Sequence, residues 1–104
     1  MAFETIKLSK PLQTHGGTVT ELGLKEPTAR CFFEYEEPFT IRFREGKYEI
    51  EYRNAAMFNF IAHMANVDPI ILKDMDGRDF MKARVAVSDY LIGLTGVDNP
   101  PTGQ

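Results

Sequence analysis

The amino-acid sequence predicts an α+β fold, in which N-terminal β-hairpins precede a helical region of two main helices and a short connecting helix. In the first half, apolar and polar residues alternate with period two, as they do in half-buried strands. After residue 54, apolar residues recur at steps of three and four, which is the helical period. The 104 residues match a single domain, expected over residues 1–97, and residues 98–104 are expected to form a disordered tail without an apolar anchor.

The first hairpin is predicted from residues 4–9, which alternate, and from residues 18–24, which are rich in β-branched side chains. Pro11 and the glycines at positions 16 and 17 predict a loop between the two strands. An isolated hairpin is only marginally stable in water, so helices are expected to cover this one.

A short helix from Ala29 to about Glu36 is predicted next, because the Thr28 hydroxyl is suited to accept a hydrogen bond from the first helical turn. The same stretch also alternates, with Phe33 and Tyr35 opposite acidic neighbours, which is typical of a strand. The sequence leaves both interpretations open.

The second hairpin is predicted from residues 39–43 and 47–52, joined by a tight turn in which Gly46 supplies a positive φ. Arg42 is expected to form cross-strand charge pairs with Glu49 and Glu51. The opposite face of the hairpin is apolar in both strands. Its residues are Phe39, Ile41, Phe43, Tyr48, Ile50 and Tyr52.

Two helices are predicted after the second hairpin. Asn54 is expected to cap a helix that runs to about Asn66 and is apolar on nearly every side. The Asp-Pro pair at residues 68–69 then has the residue types of a helix start. It predicts a short helix that ends at Leu72 or Met75.

The last helix is predicted to begin after Asp76, which serves as its cap. Its apolar residues recur at helical steps from Phe80 to Leu94. Gly93 or Gly96 is expected to end it, because glycine readily adopts the left-handed conformation found after many helices.

Composition and charge exclude several classes of partner. Twelve basic and fifteen acidic residues give a net charge of -3 without a long basic run, so no nucleic acid partner is expected. The absence of 18 consecutive apolar residues and of a secretory signal predicts a cytoplasmic protein without a membrane partner. Cys31, the only cysteine, rules out an internal disulfide framework and a multi-thiolate zinc site.

Aspartates around Gly77 raise the question of a metal-binding loop. Aligning Gly77 with the glycine of a calcium loop places Leu72 and Ala83 where acidic ligands are required. Helix capping and a favourable contact with the helix dipole explain the aspartates without an ion. A small metal-binding protein is therefore the weakest alternative, and no metal or cofactor is expected. The aspartates are Asp68, Asp74, Asp76 and Asp79.

The sequence predicts no catalytic residues and hence a protein that is not an enzyme. Folding could bring His63 near Cys31, but neither a glycine-rich elbow nor an orienting carboxylate accompanies them in the sequence. The spacing of the acidic residues does not indicate an acid and base pair either.

The predicted helices carry more apolar surface than a domain of this size is expected to bury. Part of that surface is expected to bind another protein, since methionine adapts to varied apolar partners. A role in the core is the alternative for each residue of the set. The expected contact residues are Met57, Phe58, Phe60, Ile61, Met64, Phe80, Met81 and Val85.

Three segments resemble the tail assembly chaperones of Mu-like and related contractile-tailed bacteriophages. They are residues 6–11 with 19–28, the helix at residues 60–67, and residues 71–94 with Asp79-Phe80-Met81 near their start. These segments cover about two thirds of the chain. The aromatic stretch at residues 31–52 departs from the family pattern.

The resemblance implies a role without catalysis. Proteins of this family bind the aggregation-prone tape measure protein in the cytoplasm of the infected host cell and leave before the tail is complete, so the chain is expected to be absent from the mature virion. Some members also exist in a longer frameshifted form, which would be a further partner. The apolar surface would equally serve a structural tail component that forms homo-oligomers, and this alternative stays open.

Overall fold

A computed structural model describes residues 2–95, which form two β-hairpins and four helices and confirm the predicted α+β class. The predicted tail and the predicted helix end at Gly96 lie outside these residues. No helix within residues 2–95 combines the length and apolar character needed to cross a membrane. The elements in chain order are β1 (Glu4–Thr14), β2 (Gly17–Leu24), α1 (Ala29–Glu34), β3 (Phe39–Arg44), β4 (Lys47–Tyr52), α2 (Asn54–Ala65), α3 (Pro69–Leu72) and α4 (Gly77–Thr95).

The first hairpin is longer than predicted, because β1 continues through Pro11 to Thr14. The expectation of a loop at Pro11 is wrong. The pairing register shifts between Lys7 and Leu12, and an irregularity of this kind accommodates a residue that has no N–H to donate. The chain reverses only after Thr14, and Gly17 adopts a φ of 118° there.

The short helix α1 begins at Ala29 as predicted but ends at Glu34, after which Tyr35 is extended. The expected cap is wrong, since the Thr28 side chain makes no capping hydrogen bond within the described part of the chain. Its hydroxyl instead lies 3.5 Å from Nε2 of His63 on α2. Tertiary contact therefore replaces the local cap.

The second hairpin forms as predicted. Ile41 pairs with Ile50, and Glu45 and Gly46 form the turn with φ of 52° and 79°. Two positive φ values identify a turn whose twist suits a two-residue hairpin. Arg42 contacts Glu51 with 2.8 Å between Nη2 and Oε1, which confirms one expected charge pair. Glu49 lies instead near Arg44, with 3.8 Å between Oε1 and Nε.

Helix capping is confirmed at two of the three predicted positions after the hairpins. Asp68 accepts a hydrogen bond from the Ile70 N–H at 2.9 Å, and Asp76 accepts one from the Arg78 N–H at 2.8 Å. Asn54 is not a cap but the first residue of α2, and its Oδ1 accepts a hydrogen bond from Arg84 at 3.1 Å. The predicted cap at Asn54 is wrong because its side chain contacts α4, and only the folded chain brings these residues together.

The core lies between the first hairpin and the helices α2 and α4, so helices cover this hairpin as predicted. Strand β2 is joined to the end of α2 by the Lys25 N–H, which donates to the Met64 carbonyl at 2.8 Å. The second hairpin contributes to the core only at its base, through Phe39 and Tyr52. The largest buried side chains are Leu22, Leu24, Met57, Phe60, Ile61, Met64, Leu72 and Val87.

Candidate functional site

The structure divides the eight expected contact residues into three groups by exposure. On α2, Phe58 is half-buried, and on α4 Phe80 is half-buried. Met81 and Val85 are exposed on α4, with 47% and 54% of their surface accessible. A fully buried side chain cannot contact a second protein in this conformation, so the exposed members of the set lie on α4 and Phe58 is the one partly accessible member on α2. The fully buried members are Met57, Phe60, Ile61 and Met64, none of them more than 1% exposed.

Helix α2 is buried more completely than its sequence predicts because aromatic residues from the α1 region cover it. The ring of Phe32 meets that of Phe60 edge to face at 5.1 Å, and the ring of Tyr35 meets it at 6.1 Å. The apolar side of α2 that would otherwise face water therefore packs inside the molecule. Exposed large apolar side chains are found on α4 and on the second hairpin instead, and also on α1, at Phe32 and Phe33, and on α3, at Ile70.

A shallow groove of about 800 Å³ runs between β1 and α4. Strand and helix are antiparallel here: the ring of Phe3 stacks on Tyr90 at 4.1 Å at one end, and Nζ of Lys82 donates to the Lys7 carbonyl at 3.0 Å at the other. Apolar side chains form most of the groove. Charged side chains form its rim. The residues that line it include Phe3, Ile6, Lys7, Lys82, Val85, Ala86 and Tyr90.

The carboxylate of Asp79 fixes the end of this groove. It accepts hydrogen bonds from the Ser9 N–H at 2.8 and 2.9 Å, from the Ser9 hydroxyl at 2.8 Å and from the Lys10 N–H at 3.3 Å. Burial raises the pKa of Asp79, but the hydrogen bonds from Ser9 and Lys10 and the charge of Lys82 outweigh burial and lower it. The sequence predicted only a dipole contact for Asp79, since nothing local marks a partner 70 residues away.

Of the remaining aspartates of the suspected loop, Asp68 caps α3, and Asp76 has both capping and ion-pair partners. Asp76 is bound by Arg78, whose side-chain and backbone hydrogen bonds lower the pKa of its carboxyl group, and Nζ of Lys10 lies 3.6 Å from its Oδ2. Among residues 2–95 no group of three or more His, Cys, Asp or Glu side chains is arranged to hold a metal ion. The aspartates thus act in the connection between helices.

The thiol of Cys31 is fully buried. Burial raises the pKa of Cys31, with a smaller contribution from the charge of Glu34. A reactive thiol needs the opposite shift, because the thiolate is the nucleophile. Cys31 therefore has the environment of a core residue.

The second hairpin also carries exposed apolar surface. Phe43, Tyr48 and Ile50 share one face near its tip and are 67%, 56% and 40% exposed. At its base, the same face borders a small apolar cleft of about 160 Å³ beside the end of α4. The cleft is lined by Phe32, Pro38, Phe39, Ile41, Leu91 and Leu94, among others.

The expected contact set did not include this hairpin face. The alternation of residues 39–52 placed the aromatic side chains on one face correctly. The sequence did not indicate that α2 and α4 pack on the first hairpin and leave the second hairpin uncovered. The alternation gave no signal for this, because an apolar face opposite a polar one is equally typical of a hairpin that packs one face on a core.

Comparison with known proteins identifies a matching family. The family model of phage tail assembly chaperone proteins, E, or 41 or 14, matches residues 5–92. No curated protein and no solved structure matches the chain significantly. The matched range extends from β1 into the last turns of α4 and includes the second hairpin and most of the groove, whose Phe3 and Glu4 precede it. The chain belongs to the phage tail assembly chaperone family.

Proposed function

We propose that this chain is a non-catalytic chaperone that binds the tape measure protein and keeps it soluble during tail assembly. Membership of the tail assembly chaperone family supports this role at the level of tail assembly. We choose the tape measure protein as the client because of the apolar groove between β1 and α4. A long client with apolar helical stretches needs a surface of this chemistry to be kept from aggregating.

The groove has the dimensions and polarity of a site for one side of an amphipathic helix. It follows α4 from Lys82 to Tyr90, which is about 12 Å of helix axis and equals about two turns of a bound helix. Lys7 and Lys82 mark one end, whereas Glu4 and Asp89 lie at the other. A client helix with an acidic residue near the lysines and a basic residue near the carboxylates would therefore be favoured.

Within the expected contact set, Met81 and Val85 are assigned direct contact with the client, and the half-buried Phe80 lies beside them. The buried residues of α2 act indirectly, because they belong to the core on which α4 packs. Binding through many moderate contacts at an open groove would also permit release before the tail is complete. We place this cycle in the cytoplasm of the host cell, and a longer frameshifted form of the chain would share the same groove.

The test is coexpression with the tape measure protein encoded in the same genome. The soluble yield of the tape measure protein is expected to rise, and the two proteins are expected to copurify. Val85→Glu places a charge in the groove and is expected to reduce the copurified amount about tenfold. The matched control is Ile70→Glu, which changes a residue that is 73% exposed on α3.

Equal copurification of the original chain, Val85→Glu and Ile70→Glu would remove the groove from the proposal. No gain in solubility and no copurification with the original chain would contradict the function itself. A structural tail component would instead be present in purified mature particles, which mass spectrometry of the particles detects.

A further inference from the structure

The strands β3 and β4 pair with each other and, among the described residues, with no other strand. Within residues 2–95, both outer edges of this hairpin therefore present backbone groups without a strand partner. Arg44 and Lys47 flank the two-residue turn and form the first hydrogen-bonded pair of such a hairpin. The alternation of an antiparallel ladder then directs the backbone N–H and C=O groups of Ile41, Phe43 and Ile50 outward.

Apart from Lys47 beside the turn, each edge of the hairpin carries charges of one sign on its polar face. Strand β3 contributes Arg42 and Arg44, and β4 contributes Glu49 and Glu51. All four side chains are more than half exposed, at 53%, 62%, 52% and 57%. Charged edges normally protect a sheet against pairing with another chain. Here the two edges are complementary to one another, so the protection does not extend to a second copy of the same hairpin.

The charge pattern distinguishes between the ways in which two copies could pair. Pairing β3 with β3 places arginine opposite arginine, which is destabilising in a sheet. Pairing β4 with β4 along most of its length places Glu49 opposite Glu49 or Glu51, even where Lys47 meets Glu51. Pairing β3 of one copy with β4 of the next places arginine opposite glutamate. We propose that the hairpin edges associate in this last manner, so that β3 binds β4 of a second copy of the chain in an antiparallel arrangement.

One register of this pairing allows the ion pairs and the backbone hydrogen bonds to form together. When Arg44 lies opposite Glu49 of the second copy, Arg42 lies opposite its Glu51. Phe43 then lies opposite Ile50 of the second copy, and both residues direct their backbone groups outward in the free hairpin. The ladder hydrogen bonds and the ion pairs therefore form in the same register.

This contact joins different edges of successive copies, so it continues from copy to copy and yields a ring or an open row. Because side chains alternate across a strand, the apolar faces of all hairpins lie on the same side of the extended sheet. The exposed side chains of Phe43, Tyr48 and Ile50 would become one continuous apolar surface. The association itself does not depend on the proposed function.

Sedimentation velocity of the full chain alone, over a concentration series, is the first test. The expected result is reversible self-association beyond a dimer, weakened about tenfold between 0.05 and 1 M salt because the ion pairs are exposed and screened. A monomer at every concentration up to about 1 mM would overturn the proposal. A closed dimer that does not grow further would also overturn it, since that requires a symmetric contact.

A charge-exchanged variant separates this contact from non-specific association. The variant combines Arg42→Glu, Arg44→Glu, Glu49→Arg and Glu51→Arg, which preserves the net charge and the ion pairs within one hairpin. It is expected to associate with itself as the original chain does. Mixed contacts place like charges opposite each other at both edges, so it is expected not to assemble with the original chain in native mass spectrometry. Full mixing would contradict the proposed pairing.

Two further variants serve as controls. Reversal of the α1 ion pair, by Arg30→Glu with Glu34→Arg, changes the same kinds of side chain away from the hairpin and is expected to leave mixing intact. Ile50→Pro removes the outward N–H of β4, a position at which an edge strand tolerates proline, and is expected to abolish self-association. Self-association retained by Ile50→Pro would overturn the proposal even if the charge-exchanged variant fails to fold. None of these measurements includes the tape measure protein, so their failure leaves the proposed function unaffected.

Discussion

The carboxylate of Asp79 binds the backbone N–H of Ser9 at 2.8 Å and so joins the first strand to the last helix. Asp79→Ala is expected to lower the free energy of unfolding by about 2 kcal/mol, because it leaves the partly buried N–H groups of Ser9 and Lys10 without this acceptor. Urea denaturation measures the change. Asp74→Ala alters an exposed aspartate of the preceding loop and is expected to change it by less than about 0.5 kcal/mol. Equal effects of the two substitutions would contradict the assigned role of Asp79.

The same carboxylate predicts a dependence of stability on pH. Burial raises the pKa of Asp79, but the hydrogen bonds from Ser9 and Lys10 reverse that effect, so the folded-state pKa is lowered. A lowered carboxyl pKa stabilises the fold above the unfolded value of about 3.9, and the stabilisation is lost as the pH falls through the folded-state pKa. Asp79→Asn is expected to lack this part of the acid-dependent loss, whereas Asp74→Asn keeps it. Unfolding followed between pH 6 and pH 2 provides the comparison.

The ring of Phe60 is fully buried between Phe32 and Tyr35. Phe60→Ala is expected to reduce the free energy of unfolding by about 3 to 5 kcal/mol, because it removes a large side chain and leaves a cavity. Phe33→Ala is the matched control on α1, since Phe33 is 87% exposed. Thermal or urea unfolding of each variant measures the loss. A Phe60→Ala protein as stable as the original chain would show that α2 does not form the centre of the core.

Arg84 anchors the second hairpin to the body of the protein. Its guanidinium carbon lies 3.8 Å from the centre of the Tyr52 ring, and its Nη1 donates to Asn54. Arg84→Met retains the apolar stem and removes the charge, so amide hydrogen exchange in residues 39–52 is expected to accelerate about fivefold while exchange in α4 changes little. Unchanged exchange in the hairpin would show that Phe39 and Tyr52 hold it through apolar packing alone.

Local chemistry explains which parts of the fold the sequence predicts. The second hairpin follows from its alternation and from Gly46, and the starts of α3 and α4 follow from Asp68 and Asp76, because each of these signals acts within a few residues. The fold class needs no more than such signals. The α+β class could therefore be predicted from the sequence alone.

Contacts between distant segments explain the rest. Thr28 and Asn54 have the residue types of caps, but each bonds to another element, namely to His63 and to Arg84. The same reason applies to the contact residues: α1 covers Phe60, and the second hairpin is left uncovered. Which of two hairpins receives the helices is decided by the packing of the whole chain and has no local signature.

The tip of the second hairpin lies apart from the residues that hold the molecule together. Phe43 and Tyr48 contact each other, with ring centres 5.1 Å apart, but neither belongs to the core. Mutations there are consequently expected to change the free energy of unfolding little. They would alter the apolar surface that the tip exposes, so the surface chemistry at this end of the molecule can vary independently of its stability.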